Sequence, residues 1–335
     1  MRIAVDAMGG DHAPAHPVDG AVAAARNLGL GIDLVGREDL IRAELARHPD
    51  AGDLDVRVND APDVIEMLES PAKALRKKPR ASIRVAAEHV AAGHAAALFS
   101  AGHTGACVVA AHAAFGMLPG VDRPALAPTV PTRQGAAVLL DAGATVECKP
   151  QHLLQFAHMG AMYARVGLGV ERPRIGLLSI GEEETKGNEL TREAHQLLKA
   201  SALTFVGNVE ARGIFVGDAD VVVCDGFTGN VALKLSEGLV EMVEDLLGEE
   251  LQSTFSSQVG YLLSRRAFRR FRKRVDYSEF GGAPLLGVAG LCIVGHGRSS
   301  VKAVRNAVAM ASRMANNQMM DRLRAEMKAV TVAES

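Results

Sequence analysis

Short apolar runs alternate along the chain with longer segments in which apolar residues recur every three or four positions. Eight of the runs read as strands: residues 2–6, 32–36, 54–58, 95–100, 135–141, 174–180, 203–207 and 220–225. Helical patterns fall between most of them, for example at 18–29, 37–48, 80–93 and 188–200. This alternation is the mark of βαβ units, which place helices on both faces of a mainly parallel sheet. The expectation is an α/β fold, a three-layer α/β/α sandwich in one domain spanning 1–335. No internal repeat or low-complexity linker breaks the pattern. It changes at 249–276, which turns long, helical and basic and predicts a projecting amphipathic segment.

Residues 89–121 carry no Asp, Glu, Lys or Arg, a run longer than a membrane-spanning helix requires. Gly93, Gly102, Gly105, Gly116, Pro119 and four histidines interrupt it, so a buried strand, a turn and a buried helix fit it better. The composition, 48% hydrophobic and 23% charged, is that of a soluble globular protein. A net charge of −2 argues against general nucleic-acid binding. Cys107, Cys148, Cys224 and Cys292 stand singly in apolar surroundings, which predicts buried free thiols in a reducing cytoplasm. The N-terminus, MRIAVDAMGG, lacks the basic head and apolar stretch of a signal peptide.

Candidate chemistry gathers where the strands end. DAMGGDHAP follows the first strand, SAGHTGA the run at 95–100, IGEEETKGNEL overlaps the end of 174–180, and DGFTGNV that of 220–225. Parallel sheets bind ligands at the carboxyl ends of their strands. Glycine lets a ligand approach the backbone, and a helix N-terminus offers unpaired N–H groups that favour phosphate. Four such loops at one expected sheet edge point to an anion site. None matches GxGxxG or GxxxxGK[ST], so no nucleotide cofactor is expected. Asp11, His12 and His16 suit a capped helix start better than a metal site, and His89, His94, His103 and His112 match no common zinc spacing. No metal is expected. Without a GxSxG elbow, covalent catalysis through serine has little support.

The segments 6–14, 100–106, 181–190, 220–231 and 277–288, followed by HGRS at 296–299, closely resemble the bacterial phosphate acyltransferases of phospholipid synthesis. The resemblance runs from Met1 to about Asn316 in the family's order, with Thr145, Ala211 and Gly213 departing from its pattern. It implies a fold like that of phosphotransacetylases and isopropylmalate-type dehydrogenases, a homodimer, and peripheral attachment to the inner face of the cell membrane. It also implies transfer of a long-chain acyl group from acyl-[acyl carrier protein] to inorganic phosphate, giving acyl phosphate.

The residues suit that reaction on physical grounds. Phosphate is substantially dianionic near neutral pH, its second pKa being about 6–7, and attacks a thioester without a strong base. The site must place it, disperse charge on the carbonyl oxygen and stabilise the departing thiolate. Backbone at Gly9, Gly10, Gly102, Gly105 and Gly229, with Asp6, Asp11, Ser100, Thr104 and Asn188, supplies candidate phosphate and substrate contacts. Lys186, the lone cation of an acidic loop, suits neutralising phosphate or thiolate. Asn230 suits donation to the carbonyl or a helix N-cap, and His103 suits protonating or hydrogen-bonding the leaving sulfur. Asp6 and Asp225 end strands and suit orienting loops better than acting as bases.

A phosphate acetyl- or butyryltransferase using acyl-coenzyme A would share this chemistry. An isopropylmalate-type dehydrogenase would need clustered Asp residues and a set of Arg that the sequence does not present. A non-catalytic, membrane-associated regulator would leave the glycine loops without purpose. In Arg265–Arg274, seven of ten residues are basic, and Val259, Leu262, Leu263, Ala267, Phe271 and Val275 form an imperfect apolar stripe. Leu262, Leu263, Phe271 and the basic Arg265, Arg266, Arg269, Arg270 and Arg272 are candidate contacts for anionic lipid or an acidic carrier protein. The plain alternative is a solvated helix packing one stripe against the body or a dimer mate.

Overall fold

The computed structural model describes residues 1–275 and 277–334. The first half holds β1 (Arg2–Asp6), β2 (Gly31–Gly36), β3 (Val56–Asp60), β4 (Ala97–Ser100), β5 (Ala125–Leu126), β6 (Thr129–Pro131) and β7 (Ala136–Leu140). The second holds β8 (Arg174–Leu178), β9 (Thr204–Val209), β10 (Val221–Val223), β11 (Ala283–Leu286) and β12 (Cys292–Val294). The helices are α1 (Ala15–Leu28), α2 (Glu38–Leu45), α3 (Pro71–Lys77), α4 (Ser82–Ala91), α5 (Thr104–Phe115) and α6 (Pro150–Leu168). They continue with α7 (Glu189–Ala200), α8 (Ala211–Val216), α9 (Gly226–Gln252), α10 (Phe255–Val275), α11 (Val301–Asn316) and α12 (Met319–Glu334).

All eight expected strands form, but in two sheets and not one. The first has the order β3-β2-β1-β4-β12-β11-β5, with β11 and β5 antiparallel to their neighbours; the second runs β6-β7-β10-β8-β9, with only β6 antiparallel. The chain leaves the first sheet after Leu126 and rejoins it at Ala283. β5, β6, β11 and β12 are two to four residues long and, β12 excepted, carry or adjoin prolines, too short for an alternating pattern to reveal them.

Each sheet is covered on both faces. Along β1, Ile3 and Val5 share an apolar cluster with α1 and α11, while Ala4 joins α4 and α5 on the other side. In the second sheet Val221 and Leu140 pack with Phe156 and Tyr163 of α6, and that cluster is continuous with the one over β1. Val222 and Leu139 face Ile214 of α8 and Leu233 of α9. The uncharged run at 89–121 resolves into the end of α4, β4, a turn and α5, as its glycines implied. No described helix is long and apolar enough to cross a membrane.

The composition shift at 249 is not an element boundary, since α9 runs unbroken through it to Gln252. The chain turns at Ser253–Thr254, and α10 returns alongside α9, with Arg272 paired to Glu244 at 3.3 Å. The stripe on α10 is open to solvent: Leu262 is 67% and Leu263 82% exposed. Asp276, in the projecting segment, and the side chain of Val275, in the stripe, lie outside the described residues.

Candidate active site

Two turns, one from each sheet, frame the site. In the first, the buried Asp6 carboxylate accepts Ser100 Oγ–H at 2.7 Å and Met8 N–H at 3.1 Å, and Ser100 Oγ accepts Gly102 N–H at 3.1 Å. Asp6, Ser100 and Gly9 thus form an inner layer tying β1 to β4. A Cβ at Gly9 would lie 2.7 Å from Gly102 N, so the two loops touch backbone to backbone. Gly10, at φ +103°, fits under the Gly297 carbonyl, which also accepts Asp11 N–H at 2.8 Å. Burial pushes the Asp6 carboxyl above the usual carboxylate range, opposed by its hydrogen-bond donors.

His103 is the N-cap of α5, and its Nδ1 accepts Gly105 N–H at 3.0 Å. Its ring therefore carries its proton on Nε2. Gly102 and Gly105 spend their N–H groups inside the turn, and Gly229 spends its own on Asp225 O at 3.0 Å. This corrects the expectation that these amides are free for phosphate. Thr104, the first residue of α5, keeps an N–H with no partner among the described residues, as helix starts do.

The second turn belongs to Asp141, which the sequence reading left unassigned. Its side chain accepts four backbone N–H groups: Leu126 at 2.7 Å, Gly143 and Ala144 at 3.0 Å, and Thr145 at 2.6 Å. Asp225 caps α9 through Thr228 N–H at 2.9 Å, which removes the N-cap alternative for Asn230. Gly229 lacks a side chain because a Cβ there would fall on the Asp141 carbonyl oxygen; its role is packing.

Between the turns opens a cleft of about 650 Å³. Asp11, Gly102, Thr104 and Gly297 line it from the first sheet, and Ala142, Gly143, Asn230 and Lys234 from the second. Leu126, Pro128, Val130, Phe215, Leu233 and Phe280 supply an apolar wall. His296 and Arg298 line it too; Arg298 pairs with Glu241 at 2.6 Å, and His296 Nε2 stands 3.7 Å from Glu237, whose carboxyl burial pushes up.

Of the expected site residues, Asp11, Gly102, Thr104 and Asn230 reach this cleft. Asp6, Gly9, Gly10, Ser100, Gly105 and Gly229 shape it from behind, and His103 is engaged as a cap. Lys186 and Asn188 do not line it: the four glycine loops divide between two sheets and do not share one edge. Asn188 caps α7 through Thr191 N–H at 2.9 Å, and Lys186 is exposed, with no ion pair among the described residues. Lys234 was missed, although it stands one helical turn after Asn230, on the same face. Asp141 was signalled by ending an apolar run, as Asp6 and Asp225 do. Burial pushes the Cys107 and Cys148 thiols up to about 12 and raises Cys224 and Cys292, so none is poised as a thiolate nucleophile.

The architecture is that of the phosphotransacetylases. A phosphotransacetylase from Streptococcus pyogenes aligns with a TM-score of 0.61 at 17% identity, covering 94% of both chains. A 4-hydroxythreonine-4-phosphate dehydrogenase from Klebsiella pneumoniae gives 0.55 at 15% identity, over 94% of this chain and 99% of that one. At such identities the likeness is one of fold. The family described as "Fatty acid synthesis protein" matches residues 1–322. "Phosphate acyltransferase" of Geobacter sp. (strain M21) is 52% identical over 327 residues, 96% of this chain and 93% of that protein. The protein of the same name in Pelotomaculum thermopropionicum is 49% identical over 332 residues, covering 99% and 96%. The chain belongs to the phosphate acyltransferase family, and it is an enzyme that transfers an acyl group to phosphate.

Proposed function

We propose that the acyl donor is a long-chain acyl-[acyl carrier protein] and that the acyl phosphate product feeds phospholipid synthesis. The observation that carries this is the cleft itself, where polar turns from two sheets meet an apolar wall. Phosphate at the Thr104 start of α5 attacks the thioester carbon, the C–S bond breaks, and the thiolate leaves to be protonated from solvent. Asn230 donates to the carbonyl oxygen, and Lys234 holds a positive charge one turn away. Lys186 is the second cation, brought from the exposed loop after β8 to neutralise phosphate or thiolate. With every thiol protonated, phosphate acts directly and no acyl-enzyme forms.

Palmitoyl-[acyl carrier protein] incubated with phosphate and trapped with hydroxylamine should give acyl hydroxamate only when phosphate is present. A coenzyme A donor that outperforms the carrier-protein donor would replace the proposed substrate. The protein is further read as a cytoplasmic homodimer resting on anionic lipid through α10, which supports the reading with exposed Leu262 and Leu263 beside its arginines. Reversing Arg269, Arg270 and Arg272 to Glu should release it from anionic vesicles. Unchanged vesicle binding at low salt would make the segment structural.

A further inference from the structure

Asp141 does not line the cleft, yet the route from the second sheet to Asn230 runs through it. Its side chain is fully buried and makes four hydrogen bonds to backbone N–H. Oδ1 gathers Leu126, Gly143 and Ala144, so it fixes both the last residue of β5 and the turn that faces Asn230. Oδ2 holds Thr145, whose carbonyl accepts Gly226 N–H at 2.9 Å, the first residue of α9. The main chain closes the same ring: Asp141 N–H donates to Cys224 O at 3.0 Å, and Cys224 N–H donates to Leu140 O at 2.7 Å.

The first turn of α9 is cut to fit this group. A Cβ at Gly226 would lie 2.6 Å from Asp141 Oδ2, and one at Gly229 would strike the Asp141 carbonyl. Asn230 is the next residue, and a Cβ at Gly143 would meet its side chain at 3.5 Å. Gly143 adopts φ +127°, a conformation open to glycine, and Asp141 Oδ1 accepts its N–H. A flexible amide is a useful donor to a developing oxyanion only when its direction is set before the reaction. Here Asn230 stands beside the 141–145 turn.

We propose that Asp141 is a positioning residue, whose buried carboxylate folds the 141–145 turn into the seat that aims Asn230 into the cleft. The proposal rests on Asn230 being the carbonyl donor of the acyl transfer described above. Asp141→Asn keeps an oxygen for Leu126, Gly143 and Ala144 but sets an NH2 against Thr145 N–H. It should lower kcat about tenfold at saturating phosphate and donor, the weight of one such hydrogen bond. The same change made on Asn230→Ala should cost less than about twofold, because coupled residues do not add. Gly143→Ala, which strains the turn from its other side, should show the same coupling.

All rates are taken per folded molecule, so a loss of stability alone would lower kcat in neither background. Equal losses in both backgrounds, or undiminished kcat in Asp141→Asn, would overturn the proposal. Amide hydrogen exchange reads it without activity: Asp141→Asn should speed exchange at 143–145 and 228–231 and leave 102–105 unchanged. A wild type with no phosphate-dependent turnover would refute the acyl-transfer reading. Unchanged exchange at 228–231 would refute the role of Asp141.

Discussion

Asp6 ends β1 and Asp141 follows β7, and each buried carboxylate sits beneath a glycine turn that lines the cleft. Asp6 works through a side chain: it binds Ser100, and Ser100 binds the turn. Asp141 works through backbone alone, with four N–H groups and no intermediary. The first arrangement ties two neighbouring strands of one sheet. The second ties β5 of the first sheet to the turn that seats α9 on the second, so it spans the junction between the sheets. A buried aspartate at a strand end is thus a general fastener, and its partners decide what it fastens.

The difference predicts unequal losses. Asp141→Ala strands four backbone N–H groups, those of Leu126 and Thr145 buried and those of Gly143 and Ala144 half-buried. At about 1–3 kcal/mol for each buried donor, stability should fall by on the order of 4 kcal/mol. Urea denaturation reads this directly, and a loss near 1 kcal/mol would mean that water or a rearranged turn replaces the carboxylate. Asn230→Ala should lower kcat by roughly 10²–10³ with little change in stability, as lost oxyanion donors do. Lys186→Ala should fall in the same range if its loop reaches the reaction. Near-wild-type turnover for Lys186→Ala would leave Lys234 as the working cation.

Ser100→Ala removes one donor to Asp6 and the acceptor of Gly102 N–H, and should cost about 1–3 kcal/mol in stability. A larger loss than that of Asp141→Ala would reverse the ranking of the two fasteners. The smallest effect concerns pH. A carboxyl raised by burial stabilises the fold fully below its unfolded pKa, and that contribution fades as pH rises through the folded value. The stability gap between wild type and Asp6→Asn should therefore narrow as pH rises above about 4. A gap that widens would show that the hydrogen bonds to the ionised form outweigh burial.

The sequence determined the elements and the chemistry available at their ends. Apolar runs of five to seven residues between helical patterns are local signals, and all eight became strands. Asp6, Asp225 and the glycines at strand ends were legible because capping and tight turns depend on a few consecutive residues. The uncharged helix α5 was legible for the same reason, although it is only partly buried: Ala106, Cys107, Ala110 and Ala111 are buried while His112 and Ala113 are exposed. What the sequence left open was which loops meet. β5 pairs with β11 and β12 with β4, across separations of well over a hundred residues, while the intervening strands build a second sheet. That pairing sent the Lys186 loop away from the cleft lining and brought Lys234 and the 295–299 loop into it. The same pairing drew Leu126 onto Asp141. Local propensity carries no record of such partners, because strand order is settled by which distant apolar faces bury together, and only the tertiary structure decides that.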